Sequence, residues 1–279
     1  MKLATTVNIT PPERPFRLSD NIMLLGSCFA DNLAAKLSDA GFQVCSNPFG
    51  TLYNPESVYN AIKRLDSCTL FVPEDCMPMG AGVGLICSFE HHTSFARASA
   101  AEFLDNADAR LLDACAFWKN ADRVIITLGT SFVWYAGGKA VANCLKRPAA
   151  EFTRSMLPAA QTSLLLQDII AKHPGKDFTL TVSPIGHLGD GAHMNSLSKA
   201  ALLLAVDSCQ DCYYFPAFEI MNDELRDYRF YAEDLVHPSA TAVQYIWERF
   251  LESCTDATEL EAIRANEKAA RQKAHRRIL

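Results

Sequence analysis

"NIMLLGSCFADNLAAKLSDAG", residues 21–41, is the stretch that decides the fold. It opens on a short, continuous apolar run, the pattern of a strand buried on both faces. From residue 28 to residue 40 the apolar positions recur at helical spacing, and Gly41 follows as a C-cap. A glycine, a serine and a cysteine therefore stand where a strand becomes a helix. Four more apolar runs repeat the first: "FQVCS" (42–46), "RVIITLG" (123–129), "FTLTVSP" (178–184) and "CYYFPA" (212–217). Helical patterns lie between and after them. One covers 161–173 and stops at His173-Pro174-Gly175. "NSLSKAALLLAVDSC" (195–209) is another, and "PSATAVQYIWERFLES" (238–253) opens on Pro238 and Ser239, residue types suited to a helix start. Strands alternating with helices predict a doubly wound α/β fold around a mainly parallel sheet of five strands. Right-handed crossovers collect the carboxyl ends of those strands on one edge, where open α/β sheets bind ligands. Ser27, just past the first strand, belongs to that edge.

The chain has 279 residues, 49% of them hydrophobic, enough for one substantial core. A single domain over 1–279 is expected. Residues 51–120, with more helical pattern and the glycine-rich, hairpin-like "MGAGVGLICSF" (79–89), read as an insertion packed against the sheet and placed to act as a lid. "GAGVG" lacks the strand–turn–helix context of a dinucleotide site. From about residue 256 a charged helical pattern forms a tail. The formal net charge is −6 with no basic stripe, which gives no electrostatic reason for a nucleic acid or an anionic membrane as partner. The first residues lack the apolar core of a secretory signal, and no window approaches the roughly 18 apolar residues of a membrane span. A cytoplasmic protein is expected on that basis. The 10 cysteines are scattered, and Cys209 and Cys212 form a C-x-x-C without a second pair to complete a zinc site. Reduced thiols are the corresponding expectation.

A nucleophilic serine needs a base, and the base needs an orienting group. Among the 7 histidines, His237 stands out in "YAEDLVHPSATAV". Asp234 precedes it by three residues, a spacing that lets a carboxylate on a loop reach one ring nitrogen and fix the tautomer. Ordinary acidic chemistry near a helix start explains Asp234 equally well on spacing alone.

Here the chain resembles a known family. "GSCFA" (26–30) matches the motif that gives the GSCFA family its name. "NPFGTLYNP" (47–55), "HHTSF" (91–95), "TLGTSFVW" (127–134), "VANCLKRP" (141–148), "TVSPIGH" (181–187) and "DYRFYAEDLVHP" (227–238) follow in the same order. The family is similar to the SGNH/GDSL hydrolases. The resemblance implies a flavodoxin-like, three-layer α/β/α sandwich with insertions, and a triad of Ser27 as nucleophile, His237 as base and Asp234 as orienting acid. Cys28 is then the first helical residue, turned inward. Its rival role is a thiolate activated by the helix N-terminus, against which the resemblance speaks.

The same resemblance implies oxyanion donors beyond the nucleophile's own N–H. Gly50 in "NPFG" fits the glycine donor, although a plain turn explains it as well. The third block falls on Gly129, Thr130 and Ser131, without the asparagine found in SGNH enzymes. Ser131 is one substitute and Asn143 from "VANC" another. His92 and His187 are placed to line the pocket and bind substrate. Together with His237 and Asp234 they could also hold a metal, but D-x-x-H followed by proline and a helix fits a triad better. The expected protein is a serine esterase without metal or cofactor, removing a small acyl group from a carbohydrate-like or other hydroxylated small molecule. Acyl transfer on the same triad, and ligand binding without catalysis, are the alternatives.

Overall fold

A computed structural model describes residues 5–276, so the last three residues of the charged tail expected from about residue 256 lie outside it. Among the described residues ten strands follow one another along the chain. They are β1 (Asn21–Gly26), β2 (Gln43–Ser46), β3 (Met77–Pro78), β4 (Ile86–Cys87), β5 (Arg123–Leu128), β6 (Phe132–Ala136), β7 (Lys139–Val141), β8 (Thr153–Met156), β9 (Asp177–Val182) and β10 (Cys212–Tyr214). The helices are α1 (Cys28–Ala40), α2 (Pro55–Ser67), α3 (Ala100–Lys119), α4 (Ala159–Lys172), α5 (Gly191–Asp207), the short α6 (Ala217–Glu219), α7 (Ala240–Cys254) and α8 (Leu260–Arg276).

Five strands form a parallel sheet in the order β10-β9-β5-β1-β2. This is the flavodoxin-like order, with its switch point between β1 and β5. Alternation along each strand sends side chains to two separate cores. Met23 and Leu25 of β1 and Val124 and Ile126 of β5 pack with Leu111 of α3, Leu166 of α4 and Leu202 of α5. Ile22, Leu24 and Ile125 point the other way and pack with Leu33 and Leu37 of α1 and Ile246 and Phe250 of α7. The result is the three-layer α/β/α sandwich expected from sequence.

The segment 51–120 contributes α2, the β3–β4 hairpin and α3. Val58, Ile62, Leu65, Phe103 and Leu111 from this segment enter the same core as the sheet. A second, antiparallel sheet, β7-β6-β8, occupies residues 132–156, which the sequence pattern had left without strands. Helix α8 lies against α1, where Asn266 Nδ2 donates to the Ala40 carbonyl. Cys68 and Cys115 are bridged by a disulfide that ties the end of α2 to α3. This corrects the expectation of reduced thiols for that pair: two cysteines 47 residues apart are brought face to face by helix packing, which local sequence does not encode. Among the described residues no helix is long and apolar enough to cross a membrane.

Candidate active site

The turn from β1 into α1 is built around Gly26 and Ser27. Gly26 has φ +135°, and a Cβ there would collide with the carbonyl oxygen of Thr127 on the neighbouring strand β5. Only glycine fits this position. Ser27 is the N-cap of α1: its Oγ accepts from the N–H of Phe29 at 3.3 Å. A serine just before a helix is favoured for this reason, because its oxygen satisfies an otherwise orphaned N–H. The same Oγ lies 3.0 Å from Thr127 Oγ1, and the Ser27 N–H donates to Thr127. Ser27 is fully buried.

Cys28 is the residue that faces the histidine. Its Sγ is 3.5 Å from His237 Nε2, and His237 Nδ1 is 2.6 Å from Asp234 Oδ2. The structure joins Asp234 and His237 as the sequence suggested, but brings Cys28 rather than Ser27 to the ring. Cys28 is accordingly not turned inward. Ser27 in the cap must point at the helix's own N–H groups, which leaves the next side chain free to face the site.

The acid–histidine loop holds itself in shape. Asp234 Oδ1 accepts from the N–H groups of Val236 at 3.0 Å and His237 at 2.9 Å. Leu235 between them adopts φ +58°, a left-handed conformation uncommon for a branched side chain. The N–H of Ala232 donates to the His237 carbonyl, and the N–H of Leu235 to the Ala232 carbonyl. The N–H groups of His237 and Val236, and then the His237 imidazole, pull the Asp234 carboxyl down to about 2. Asp234 thus stays a carboxylate and fixes which nitrogen of His237 faces Cys28. Burial pushes the Cys28 thiol above its ordinary range, with Asp31 acting in the same direction; its own and the Phe29 backbone N–H groups and Lys199 oppose it. The resting cysteine is a thiol that must pass a proton to become a nucleophile.

The remaining expected site residues divide into those at the rim and those tied up elsewhere. Gly50 takes φ +79° where a Cβ would strike His92, but its N–H donates to the Asn47 carbonyl at 2.7 Å and closes a turn. The N–H of Gly129 donates to the Tyr53 carbonyl at 2.9 Å, and its own carbonyl accepts from Lys199. Ser131 is buried, with N–H and Oγ both on Ser198 Oγ. Asn143 Oδ1 accepts from the Leu145 N–H in a turn after β7. The Gly50, Gly129 and Ser131 donors are therefore engaged in the fold, and Asn143 is held in its own turn through its amide oxygen. Cys28, as the first residue of α1, carries an N–H without a partner inside the helix.

His92 caps a short 3₁₀ turn, its Nδ1 accepting from the Ser94 N–H at 3.2 Å. Its neighbour His91 sits among Phe49, Phe71, Phe95 and Phe103, where burial lowers its pKa to about 3. His187 packs edge-on to Tyr53, and burial, then Lys199 and His237, lower its pKa to about 4. Its Nε2 is buried without a hydrogen-bond partner. Among the described residues no group of three or more His, Cys, Asp or Glu is arranged to hold a metal ion.

The N-cap preference of Ser27 is a signal in favour of Cys28 that the sequence reading, which kept Cys28 only as the rival, did not use. The feature missed from sequence is Lys199, a lone charge on the buried stripe Lys199-Leu202-Val206 of α5, whose i, i+3, i+7 spacing was readable. Leu235 and Val236, next to His237 in the chain, line a cavity of about 520 Å³ together with Lys199, Phe218, Arg226, Tyr228 and Tyr231 among others.

A doubly wound α/β fold with a thiol, an imidazole and a carboxylate in line at the carboxyl edge of its sheet defines the class of protein. The GSCFA family model matches residues 21–250, and the chain belongs to the GSCFA family. No curated protein matches it in sequence. Among the solved structures that resemble it at low identity are the following three. One, from Streptococcus pneumonia and provisionally described as a platelet activating factor, is 11% identical with a TM-score of 0.39, over 84% of this chain and 82% of that one. The second is a carbohydrate esterase family 2 enzyme with a carbohydrate binding domain, from Corynascus thermopiles (Myceliophthora fergusii). It is 14% identical with a TM-score of 0.38, over 90% and 69%. The third is the acetyl xylan esterase Est2A of the rumen bacterium Butyrivibrio proteoclasticus, 8% identical with a TM-score of 0.37, over 85% and 63%.

Proposed function

We propose that the protein is an acyl-transfer enzyme, acting as a hydrolase of small esters, with Cys28 as nucleophile, His237 as general base and Asp234 as the group that orients the base. The observation that carries this reading is the line from Cys28 Sγ to His237 Nε2, 3.5 Å, and on from His237 Nδ1 to Asp234 Oδ2, 2.6 Å. Separations of this order are ordinary for a nucleophile and its base before substrate tightens them. Ser27, proposed from sequence as nucleophile, gives up that role because its Oγ is buried on Thr127 and the helix cap.

In the proposed reaction His237 Nε2 takes the Cys28 proton as Sγ bonds to the ester carbonyl carbon. The carbonyl π electrons move to oxygen, and the Cys28 N–H at the helix N-terminus faces the developing charge. Collapse expels the alcohol, which takes the proton back from His237 and leaves a thioester. Water, deprotonated by the same imidazole, then releases the acid. An acceptor hydroxyl in place of water would make the enzyme an acyltransferase. The half-exposed His237 and Asp234, at 46% and 51%, favour either acceptor equally.

The test is a series of nitrophenyl esters of increasing acyl length against wild type, Cys28→Ala and Ser27→Ala. Cys28→Ala is expected to lose on the order of 10⁴-fold or more in turnover, the scale seen when a nucleophile is removed. Ser27→Ala is expected to keep most of it. The opposite pattern in folded proteins would overturn the thiol assignment.

A further inference from the structure

The turn that presents Cys28 is clamped from the strands on both sides of β1. On the β5 side the Ser27 N–H donates to the Thr127 carbonyl at 3.0 Å and to its Oγ1 at 2.9 Å. On the β2 side the clamp is a side chain. The parallel pairing of β1 with β2 ends at Leu24 and Ser46, and the Asn47 N–H still donates to the Leu24 carbonyl at 2.9 Å. One step further, a parallel ladder would offer the Gly26 N–H the main-chain carbonyl of Asn47. Asn47 has φ +42°, a left-handed conformation that asparagine tolerates better than most residues, and its carbonyl accepts from the Gly50 N–H instead. The side chain of the same residue stands in for that carbonyl: Asn47 Oδ1 accepts from the Gly26 N–H at 2.9 Å.

The other end of the same amide reaches α1. Asn47 Nδ2 donates to Asp31 Oδ1 at 2.9 Å, an oxygen that also accepts from Ser46 Oγ at 2.9 Å. Asn47 is 4% exposed. One buried carboxamide therefore holds the chain two residues before Cys28 and three residues after it. The Leu52 N–H, from the same loop, closes on the Gly26 carbonyl at 2.7 Å. A turn at 47–50 needs only a residue that accepts a left-handed backbone, and glycine would serve. Two directed side-chain bonds onto the segment that carries Cys28 are not needed for that turn.

We propose that Asn47 is a positioning residue: its carboxamide, strung between the Gly26 N–H and Asp31, fixes the direction in which Cys28 leaves the turn and so keeps Sγ in reach of His237, 3.5 Å from Nε2. It acts through the backbone of residues 26–31. A misplacement of about 1 Å between reacting groups is enough to cost roughly a hundredfold in rate. The proposal rests on the reading of Cys28 and His237 as a pair, and the experiment separates the two.

The experiment reads the pair directly. Cys28 alkylation by iodoacetamide at neutral pH is followed by mass spectrometry, with and without His237→Gln, in wild type, Asn47→Gly, Asn47→Asp, and Asn47→Asp combined with Asp31→Asn. The ratio of the two rates in each background is the coupling between thiol and imidazole. In wild type, loss of the imidazole should slow alkylation about fivefold or more, because the thiolate is the reacting form. Asn47→Gly keeps the left-handed backbone and deletes the amide, and its ratio should shrink about threefold or more toward unity. Asn47→Asp sets two carboxylates against each other and should shrink the ratio likewise. In the double variant the amide introduced at 31 donates to the carboxylate introduced at 47. The bond re-forms in the reverse sense, and the ratio should return to within about twofold of wild type. With nitrophenyl esters, Asn47→Gly should lower kcat about tenfold or more and leave KM within about threefold. A merely structural amide would lower thermal stability in Asn47→Gly and leave the ratio where it was. That result overturns the proposal, as does a double variant no better coupled than Asn47→Asp. A ratio of unity in wild type overturns the pairing of Cys28 with His237, and the positioning role with it.

Discussion

The two ends of the central sheet treat buried charge in opposite ways. At the amino end, Arg123 opens β5 and is 2% exposed, the same as Lys199. Its Nε donates to Asp20 at 2.5 Å, its guanidinium donates to the carbonyls of Arg14 and Pro15, and it lies 4.1 Å from the Phe16 ring. Asp20 accepts in addition from Arg14 and from the Arg17 N–H. Each charge there has its opposite. At the carboxyl end Lys199 has only carbonyls, His187 Nε2 and Ser183 Oγ have no partner, and Leu235 sits in a left-handed conformation. The difference teaches where to look for function: an ion-paired buried charge holds the fold together, whereas a buried charge without its opposite marks a place where a ligand or a forming charge could complete the set.

The comparison breaks most visibly at Asp20. Asp20→Ala should destabilise the protein by about 3–5 kcal/mol, because it removes the close partner of the buried Arg123 and leaves it only Asp177, at 3.8 Å. Urea unfolding measures this, and activity per folded molecule should hold. A loss under 1 kcal/mol would mean that the amino end is not built on that pair.

Next in size is Asp234→Asn at the other end. Turnover should fall about a hundredfold or more, since an amide permits the wrong tautomer of His237. Stability should change little, because the side chain is half exposed and screened. Steady-state kinetics alongside thermal unfolding separates the two; a large stability loss with intact turnover would reverse the assignment of the two ends.

Smaller again is Ser27→Ala, expected to cost about 1 kcal/mol as a lost N-cap. Its kcat/KM should stay within a few-fold of wild type. The smallest effect is on acid stability. The Asp234 carboxyl is held down to about 2 in the folded protein, so its contribution is present above the ordinary carboxylate range and is lost as pH falls toward 2. The stability gap between wild type and Asp234→Asn should close over that interval. A gap that widened on acidification would contradict the hydrogen-bonding pattern around Asp234.

Much of this was written locally. The apolar run 22–25 grew by one residue at each end into β1, and the helical spacing from 28 to 40 with Gly41 gave α1 its expected limits, because strand burial, helix periodicity and capping act within a few residues. The D-x-x-H turn was legible for the same reason: Asp234 reaches the N–H groups of Val236 and His237 without help from elsewhere. The antiparallel sheet at 132–156 was not legible, because its pairing of Trp134 with Val141 and Arg154 depends on strand partners rather than on a buried apolar run.

What the sequence by itself determined, then, was a doubly wound α/β chain with a nucleophile candidate after its first strand and a histidine, three residues after an acid, just before α7. Which of two adjacent residues meets that histidine was decided only in three dimensions. Thr127, 100 residues away, binds Ser27 from the neighbouring strand, and the helix cap uses the same hydroxyl. Cys28 is left to face His237 from 209 residues away. The spacing of Lys199 marked it as buried, but only packing revealed that no carboxylate came with it. A side chain's direction and a charge's partner are properties of contacts between distant segments, and no local pattern carries them.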